Sequence, residues 1–300
     1  MNICILGGGH GTSRLVKGFN GENQNIDIIV TSSDNGSHTG EIIKEFDVPG
    51  LGDLRMVLES LLNKPLIDFF SYRFKNLHGK ENVSLGNLIL LSILLEYDKN
   101  VLLMLDKINS LINENYHLHL ANHKYIELKA ERRNGDIVVG ESDIGEVDNI
   151  KRVYFENEGY VSIDTLNAIE NADIIVLSFG SFYTSLGAVL ANEKIREAIS
   201  ESKAKIIYIP NLVNQKETKG YVLEDYVDYI EKIIKRRIDK VIVSNNKIKR
   251  KYVKRYQKLN REIVIKKEDR DNYYYYPLLE IEDSKLRHNV KKLVEIITSE

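Results

Sequence analysis

Short apolar runs recur along the chain, and each leads into a glycine-rich or polar turn. Five such runs are Ile3–Leu6, Ile26–Val30, Asp173–Leu177, Lys205–Ile209 and Asp239–Val243. Their apolar, mostly β-branched residues are consecutive rather than alternating, which is typical of strands buried on both faces of a parallel sheet. The pattern therefore predicts a sheet whose central strands are covered by helices on both sides.

Amphipathic segments lie between these runs. The residues after Asp53 place Leu54, Val57, Leu58 and Leu61 on one face of a predicted helix. Further helices are predicted over Leu88–Leu95, Tyr221–Ile238 and Leu286–Ile297. Because strands and helices alternate with short turns between them, we predict a Rossmann-like, doubly wound α/β fold with a mainly parallel sheet.

Residues 113–155 depart from this alternation. Three short runs surround the turn pair Asn134–Gly135, namely Tyr125–Leu128, Ile137–Val139 and Val153–Phe155, which predicts a small antiparallel, β-rich insertion. His117, His119 and His123 fall within it, and we interpret them as a solvated strand face rather than as metal ligands. Since no Pro-, Gly- or Ser-rich linker divides the chain, residues 1–300 are expected to form one domain.

Composition narrows the choice of partners. The 42 Lys and Arg residues nearly balance 44 Asp and Glu residues, so no overall field favours nucleic acid, and the basic stretch Lys247–Arg255 is interpreted as a solvated helix face. The single cysteine, Cys4, excludes an internal disulfide and fits a cytoplasmic location. No uncharged apolar run approaches the roughly 18 residues of a membrane span.

Glycines cluster directly after the first apolar run. The motif consists of Gly7, Gly8, Gly9, Gly11 and Thr12. Glycine lets backbone N–H groups approach an anion, and the helix that begins here adds the positive end of its dipole. The spacing fits G-x-G-x-x-G only loosely, and a tight strand-to-helix turn also needs glycine for steric reasons. We favour phosphate binding over a purely structural turn.

Asp34 and Gly36 follow the second run. An acidic residue at this point holds the ribose diol in dinucleotide-binding folds, although Asp34 could also bind a metal or cap its own turn. Turn capping is the commoner role for one such aspartate. Its position favours a ligand role, because the carboxyl ends of neighbouring parallel strands meet at one edge of the sheet.

Later turns offer further polar groups. The third run leads to Gly180, Ser181, Tyr183, Thr184 and Ser185, and the fourth to Asn211. The hydroxyls at a helix start could bind an anion, whereas Tyr183 alone could equally be a buried aromatic residue. Asn211 could bind a base edge or a sugar hydroxyl, or stabilise its own turn.

The order of these motifs along the chain is more specific than any one of them. The ordered set is Gly7–Thr12 followed by Arg14–Leu15, then Thr31–Gly36, Gly52–Arg55, Gly86–Leu88 near the pair Arg73–Phe74, Gly140–Ile144, Gly180–Ser185, Asn211–Val213 and Arg287–His288. In this the sequence resembles the gluconeogenesis factor (YvcK-like) family, a branch of the 2-phospho-L-lactate transferase (CofD)-like superfamily. The resemblance extends over essentially the whole chain.

The resemblance adds Asp53, Arg55 and Asn87 to the binding residues. From the residues alone, Asp53 is better explained as the N-cap of its helix, and Asn87 is either a cap or a buried amide that faces a cleft. The family match favours the cleft for Asn87. His10 stands where the family usually has threonine, so it is not assigned to the site.

The resemblance also implies a function. A member of this family is expected to bind a nucleotide diphosphate, with a UDP-sugar such as UDP-N-acetylglucosamine as the ligand. It is expected to regulate carbon metabolism and bacterial cell shape or envelope, through a protein partner that the sequence does not identify. The alternative is a transferase that acts on a nucleotide-diphosphate-linked donor, a chemistry that needs carboxylates around a divalent metal such as Mg²⁺.

Several positions depart from the family pattern. The segment Ser33–Gly36 has one aspartate where the family usually has two in succession, and Ser178–Phe179 replaces a Gly–Pro pair. The missing carboxylate weakens metal-dependent transfer, so we assign no catalytic residue and no metal ligand. A nicotinamide dehydrogenase is a weaker third hypothesis. The four adjacent tyrosines Tyr273–Tyr276 cannot all face one core, and we expect a homodimer.

Overall fold

The computed structural model describes residues 1–77, 79–157 and 159–300. Its strands are β1 (Asn2–Gly7), β2 (Asn25–Val30), β3 (Arg73–Phe74), β4 (Val83–Ser84), β5 (Tyr116–Leu120), β6 (Lys129–Arg132), β7 (Ile137–Val139), β8 (Ile150–Tyr154), β9 (Ile174–Leu177), β10 (Lys205–Tyr208), β11 (Lys240–Ser244), β12 (Tyr273–Tyr276), β13 (Leu279–Glu282) and β14 (Lys285–His288).

The α-helices are α1 (Gly9–Gly18), α2 (Ser37–Phe46), α3 (Gly52–Leu61), α4 (Leu66–Ser71), α5 (Leu85–Glu96), α6 (Val101–Asn109), α7 (Glu141–Ile144), α8 (Ile163–Glu170), α9 (Gly187–Leu190), α10 (Glu193–Glu201), α11 (Leu223–Ile234), α12 (Arg250–Lys258) and α13 (Val290–Thr298). A π-helical turn spans Phe182–Leu186, and a 3₁₀ turn spans Lys216–Thr218.

Seven parallel strands form the central sheet in the order β12–β11–β10–β9–β1–β2–β5. The chain runs from β1 outward through β2 to β5, and then crosses to β9 on the other side of β1. A topological switch point therefore lies between β1 and β9, which is where open α/β sheets bind their ligands.

Two hydrophobic cores cover the two faces of this sheet. In β1, Ile3 and Ile5 enter one core, and Cys4 and Leu6 enter the other. Helices α1, α3, α5, α6 and α13 pack on the first face, and α10 and α11 pack on the second. Because both faces are covered, the strands are apolar throughout, and the predicted doubly wound α/β fold is confirmed.

The antiparallel insertion begins later than the sequence predicts. Strands β7, β6 and β8 form a three-stranded antiparallel sheet over Lys129–Tyr154, while Tyr125–Leu128 forms no strand. His117 and His119 lie in β5, which is the parallel edge strand of the main sheet. The prediction that they belong to the insertion is wrong. In β5 the two histidines alternate with buried apolar residues, as expected for an edge strand with one exposed face. A solvated antiparallel strand shows the same alternation, so the sequence pattern fits both.

Two predicted helices differ at their ends. Helix α11 is shorter than the predicted Tyr221–Ile238, and α13 begins only at Val290. The preceding Leu286 belongs to β14, which pairs with β13 in a hairpin. Asn289 ends this hairpin and caps α13, because its side chain accepts a hydrogen bond from the Lys292 N–H.

Candidate functional site

The two glycine-rich loops meet at the switch point. A Cβ added to Gly11 would lie 1.7 Å from the carbonyl oxygen of Phe179, and one added to Gly180 would lie 3.2 Å from that of Gly8. Below the contact, the hydroxyls of Thr12 and Ser178 are 2.6 Å apart and form a buried hydrogen bond. Glycine at position 11 is therefore required by the close approach of the two backbones.

A cleft of about 360 Å³ opens above this contact. Of the residues predicted to bind a nucleotide, those that line it are Gly8, Gly9, Gly11, Asp53, Gly180, Ser181, Thr184, Ser185 and Asn211. Gly7 and Thr12 support the loop from beneath, since an added Cβ on Gly7 would meet the Thr12 and Ser178 hydroxyls. The structure thus brings together both predicted loops and the strand that follows the second one.

Asn211 holds the second loop in place. Its Nδ2 donates to the Gly180 carbonyl at 2.6 Å, and its Oδ1 accepts from the Gly180 N–H at 3.2 Å. The amide is therefore committed to the neighbouring backbone, although the residue also lines the cleft. Its most direct action is to position the loop.

Four further predicted residues line a second cavity of about 340 Å³ that shares Met56 with the cleft. They are Asp34, Gly36, Arg55 and Asn87. Ser84, not Asn87, caps α5. The Asn87 Nδ2 donates to Thr39 at 3.4 Å, and its buried Oδ1 has no hydrogen-bond partner among the described residues. Asn87 therefore presents an unsatisfied acceptor at a cavity, as the cleft interpretation requires.

The capping role predicted for Asp53 is wrong. The N-cap of α3 is Leu51, and Asp53 lies within the first helical turn. Its buried carboxylate instead accepts a hydrogen bond from the Gly9 N–H of the glycine loop. The helix start places Asp53 under the loop because α1 and α3 pack side by side, which the spacing of residues along the chain does not reveal.

The Tyr183 hydroxyl lies on the side of the second core. It is 2.6 Å from the Tyr221 hydroxyl and donates to the Ile150 carbonyl oxygen at 3.3 Å. Tyr183 is fully buried, and burial raises the pKa of its hydroxyl far above the usual range. Of the two interpretations left open, the buried aromatic residue describes its side chain.

Three carboxyl groups of the two cavities influence one another electrostatically: Asp53 and Glu141 line the cleft, and Asp34 lines the second cavity. Burial, followed by the charge of Asp34, raises the pKa of Glu141 to about 7. Burial also raises the pKa values of Asp34 and Asp53, and Asp34 and Glu141 add to the effect on Asp53. Since mutual repulsion and desolvation disfavour three negative charges together, each acid of this cluster favours its protonated form more than an isolated carboxyl group does.

A chain of hydrogen bonds leads from Glu141 into the protein. The Glu141 carboxyl group forms a hydrogen bond with the Thr184 side chain. The Thr184 hydroxyl in turn donates a hydrogen bond to Ser181 Oγ at 2.6 Å. Ser181 donates to Glu217 Oε1 at 2.5 Å, while Glu217 Oε2 is buried without a partner among the described residues. Burial raises the pKa of Glu217. The hydroxyls of the second loop therefore join two acids.

Sequence reasoning did not assign these acids or the cations of the cleft. The cations are Arg14, Arg261 and Arg287, of which Arg14 pairs with Glu282 at 2.5 Å. Glu141, Arg14 and Arg287 stood within the ordered motifs, so that signal was present. Glu217 and Arg261 reach the site only through the fold.

Two histidines line the cleft. His10 lines the cleft, and burial together with the charge of Arg287 lowers its pKa. His288 donates from Nε2 to the Pro210 carbonyl at 3.0 Å, and its ring centroid is 4.6 Å from that of Phe179. Burial lowers the pKa of His288 to about 4. His288 is therefore a neutral, packed part of the wall.

A third cavity of about 610 Å³ adjoins the cleft and shares Asn211, Leu212 and His288 with it. Half of the residues that line it are aliphatic, among them Ile263 and Val264. Across the described part of the chain, no three His, Cys, Asp or Glu side chains are arranged to hold a metal ion. None of the described helices is both long and apolar enough to cross a membrane.

The sequence model of the 2-phospho-L-lactate transferase CofD family matches residues 3–275, which include both loops and the acidic cluster. The chain belongs to this CofD family. Among its relatives, the gluconeogenesis factor of Halalkalibacterium halodurans is 34% identical, with 99% of this chain and 95% of that protein covered. The gluconeogenesis factor of Bacillus subtilis is 34% identical over 83% of this chain and 82% of its own length.

A crystal structure of a Bacillus halodurans protein shares the fold of this CofD family member. The TM-score is 0.92 at 32% sequence identity, and 99% of each chain is covered. The alignments to these relatives cover the β-rich insertion and the helices on both faces of the sheet. The family resemblance drawn from the ordered motifs and the α/β fold predicted from the alternation of strands and helices are both confirmed.

Proposed function

We propose that this chain is a regulatory gluconeogenesis factor of the cytoplasm that binds a UDP-sugar, such as UDP-N-acetylglucosamine, in the switch-point cleft. Ligand occupancy would control carbon metabolism and cell shape through a protein partner, with no bond made or broken. The observation that carries the proposal is the contact of two glycine loops at the β1–β9 switch point, where α1 begins. Nucleotide diphosphates bind at this position in doubly wound sheets.

The charges of the cleft support a diphosphate. Helix α1 starts at Gly9, so its first N–H groups and its dipole favour an anion at the loop. Arg261 and Arg287 line the same cleft, and neither forms an ion pair with a described acidic residue. A diphosphate ester could therefore be neutralised by guanidinium groups as well as by backbone donors.

The acidic cluster is compatible with this anion only when it is protonated. With a pKa of about 7, Glu141 is a neutral acid in a large fraction of molecules at neutral pH. A neutral carboxylic acid donates a hydrogen bond, so it can contact phosphate or hydroxyl oxygens without repelling them. This supports a cleft that binds an anion despite its acidic side chains.

We propose that the two adjoining cavities hold the sugar and the base of the ligand. The unpartnered Asn87 Oδ1 in the second cavity suits a hydroxyl or an amide N–H, both of which an N-acetylated sugar offers. The aliphatic side chains of the third cavity, such as Ile263 and Val264, suit the flat face of a base. We therefore place the sugar beside Asn87 and the base beside Ile263.

Isothermal titration calorimetry tests the proposal. UDP-N-acetylglucosamine, GDP and NAD are titrated into the protein, each with and without Mg²⁺, and the solutions are then analysed for products. We expect saturable binding of the UDP-sugar and no turnover. Failure of the UDP-sugar to bind at millimolar concentration would refute the proposal, and binding of NAD instead would support a dehydrogenase.

A substitution at the cleft makes the test specific. We expect Arg287→Met to weaken UDP-sugar binding about tenfold or more, since a charge-assisted contact contributes roughly 1.5–3 kcal/mol. Arg133→Met is the matched control, because Arg133 is exposed and lines a different cavity. Equal losses in the two variants would contradict a diphosphate beside Arg287.

A transferase is the second candidate, because the matching family model describes a 2-phospho-L-lactate transferase. Asp34, Asp53 and Glu141 favour it: they form no metal site by themselves, but a carboxylate beside a bound diphosphate can complete the oxygen ligands of Mg²⁺. Consumption of a nucleotide-diphosphate-linked donor that requires Mg²⁺ would decide for this candidate. Binding of the UDP-sugar without consumption would decide against it.

A further inference from the structure

Helix α12 carries a row of exposed basic residues. This cationic stripe consists of Arg250, Lys251, Lys254, Arg255 and Lys258, all of them exposed. None forms an ion pair with any described acidic residue, and Lys251 contacts only the ring of Tyr252. Elsewhere many basic side chains are paired, as Arg270 is with Asp228. The stripe is therefore an accumulation of uncompensated positive charge.

The geometry of the helix separates the stripe from the core. At about 100° per residue, the five stripe residues span roughly 140° of the helix surface, directly opposite Tyr256. Tyr256 is buried, lines the ligand cleft, and its hydroxyl accepts a hydrogen bond from the Leu286 N–H at 3.0 Å. One helix thus has an inner face on the cleft and an outer, charged face in solvent.

The charge around α12 is strongly asymmetric. Residues 245–261 contain eight basic residues and no acidic one, so the rest of the chain carries −10 against the total of −2. A negatively charged body repels an extended polyanion that reaches beyond the patch. The stripe is only about 14 Å long, as nine helical residues at 1.5 Å each require. Its size and surroundings suit a compact acidic surface.

We propose that the cationic stripe docks an acidic surface on a partner protein, and that a ligand in the cleft changes this docking through α12. The effect of a ligand on docking rests on the proposed function, because it needs a ligand in contact with Tyr256. The docking itself does not rest on it. The stripe fixes the partner's chemistry: carboxylates presented along about three helical turns.

Features beside the stripe favour a protein over a nucleic acid. Leu259, which follows Lys258 at the end of α12, is 59% exposed and offers the apolar contact that protein interfaces contain. Proteins that bind single strands use aromatic side chains to stack bases. In α12, Tyr256 is buried and Tyr252 is half-buried, so the stripe offers no such platform.

Fluorescence anisotropy with a labelled polyglutamate peptide tests the docking surface in the full-length protein. We expect the protein to bind the peptide with an affinity that falls as salt is added. In the triple variant Arg250→Glu, Lys254→Glu, Lys258→Glu, the affinity for the peptide should fall at least tenfold. The matched control is Lys17→Glu, Lys203→Glu, Lys291→Glu, which changes the net charge equally at exposed, unpaired lysines on other elements. Equal losses in the two triple variants would overturn the proposal.

Competition identifies the class of partner. An oligonucleotide of the same net charge, or phosphatidylglycerol vesicles, that bound the stripe more tightly than the peptide would overturn the choice of a protein. The peptide titration is repeated with saturating UDP-N-acetylglucosamine, where we expect an affinity change of at least threefold. A UDP-sugar that binds without changing peptide affinity overturns the coupling alone. A UDP-sugar that does not bind at all refutes the proposed function. The docking surface is then still tested by the peptide titrations, which need no UDP-sugar.

Discussion

Two glycines of the first loop serve different purposes. Gly11 cannot carry a side chain because the Phe179 carbonyl oxygen occupies the Cβ position, whereas a Cβ on Gly9 would have no neighbour closer than 3.6 Å. Gly9 instead has a φ of +62°, which favours glycine through the backbone alone. The first constraint belongs to packing, and the second belongs to the local conformation.

These constraints predict different losses of stability. We expect Gly11→Ala to cost about 3 kcal/mol of unfolding free energy, because two backbones must separate. Gly9→Ala should cost roughly 1–2 kcal/mol, the penalty of a left-handed conformation. Urea denaturation of both variants measures the difference. A larger loss for Gly9→Ala than for Gly11→Ala would contradict the loop contact.

Glu141 predicts how ligand binding depends on pH. Its pKa is raised to about 7, so the neutral form predominates below pH 7 and the charged form above it. Since a UDP-sugar diphosphate is esterified at both ends and does not titrate there, charge on Glu141 alone should weaken binding. We expect the UDP-sugar affinity of the native chain to fall severalfold from pH 6 to pH 8, measured by calorimetry.

Substitution isolates this effect. Glu141→Gln stays neutral, so its affinity should vary little over the same pH range. Asp143→Asn is the control, because Asp143 is exposed on the same short helix and should leave the pH dependence intact. An unchanged slope in Glu141→Gln would place the titrating group elsewhere, in Asp34 or Asp53.

At the scale of elements, helix α5 is positioned by the residue directly before it. The Ser84 hydroxyl accepts a hydrogen bond from the Asn87 N–H and so begins the helix at the second cavity. We expect Ser84→Ala to lower the unfolding free energy by about 1 kcal/mol, as the loss of an N-cap does. Ser92→Ala, on the exposed side of α5, should change it by less than about 0.5 kcal/mol.

Denaturant titration distinguishes the two serines. If both variants lost the same stability, the Ser84 hydroxyl would not be acting as a cap. The sequence showed α5 as an apolar helix near Gly86 but assigned the capping role to Asn87 as one of two alternatives. Cap residues are set by backbone angles outside the helix, which the apolar pattern does not encode.

The insertion shows the limit of local patterns at this scale. Its hairpin around Asn134–Gly135 is apparent from the turn pair, whereas the placement of β5 depends on which strand it joins. An edge strand and a surface hairpin strand both bury one face, so the same alternation fits either. Only the pairing of Ile28 with Leu118 in parallel register decides between them.

At the scale of the whole molecule, the two cores share one sheet. Adjacent residues of β1 enter opposite cores, so neither can be lost without exposing the strand that supports the other. We therefore expect one cooperative unfolding transition, with circular dichroism and tyrosine absorbance changing together, since the chain has 17 tyrosines and no tryptophan. Two separate transitions would contradict the single domain.

A ligand should shift that transition as a unit. At a concentration 100 times its Kd, a UDP-sugar bound at the switch point should add about 2.7 kcal/mol to the unfolding free energy. A thermal scan with and without the ligand measures the shift. The homodimer stays a prediction at this scale; Tyr274 and Tyr275 on the edge strand β12 are 44% and 36% exposed.

The sequence by itself determined the parallel sheet, its glycine loops and the family, because apolar runs and the order of motifs are properties of the chain that need no tertiary contact. Tertiary structure alone decided which charges meet. Asp34, Asp53 and Glu141 are far apart along the chain, yet their pKa values depend on each other, because burial and distance set electrostatic interactions. Likewise, Glu217 supports Ser181 only because the strand order brings their loops together.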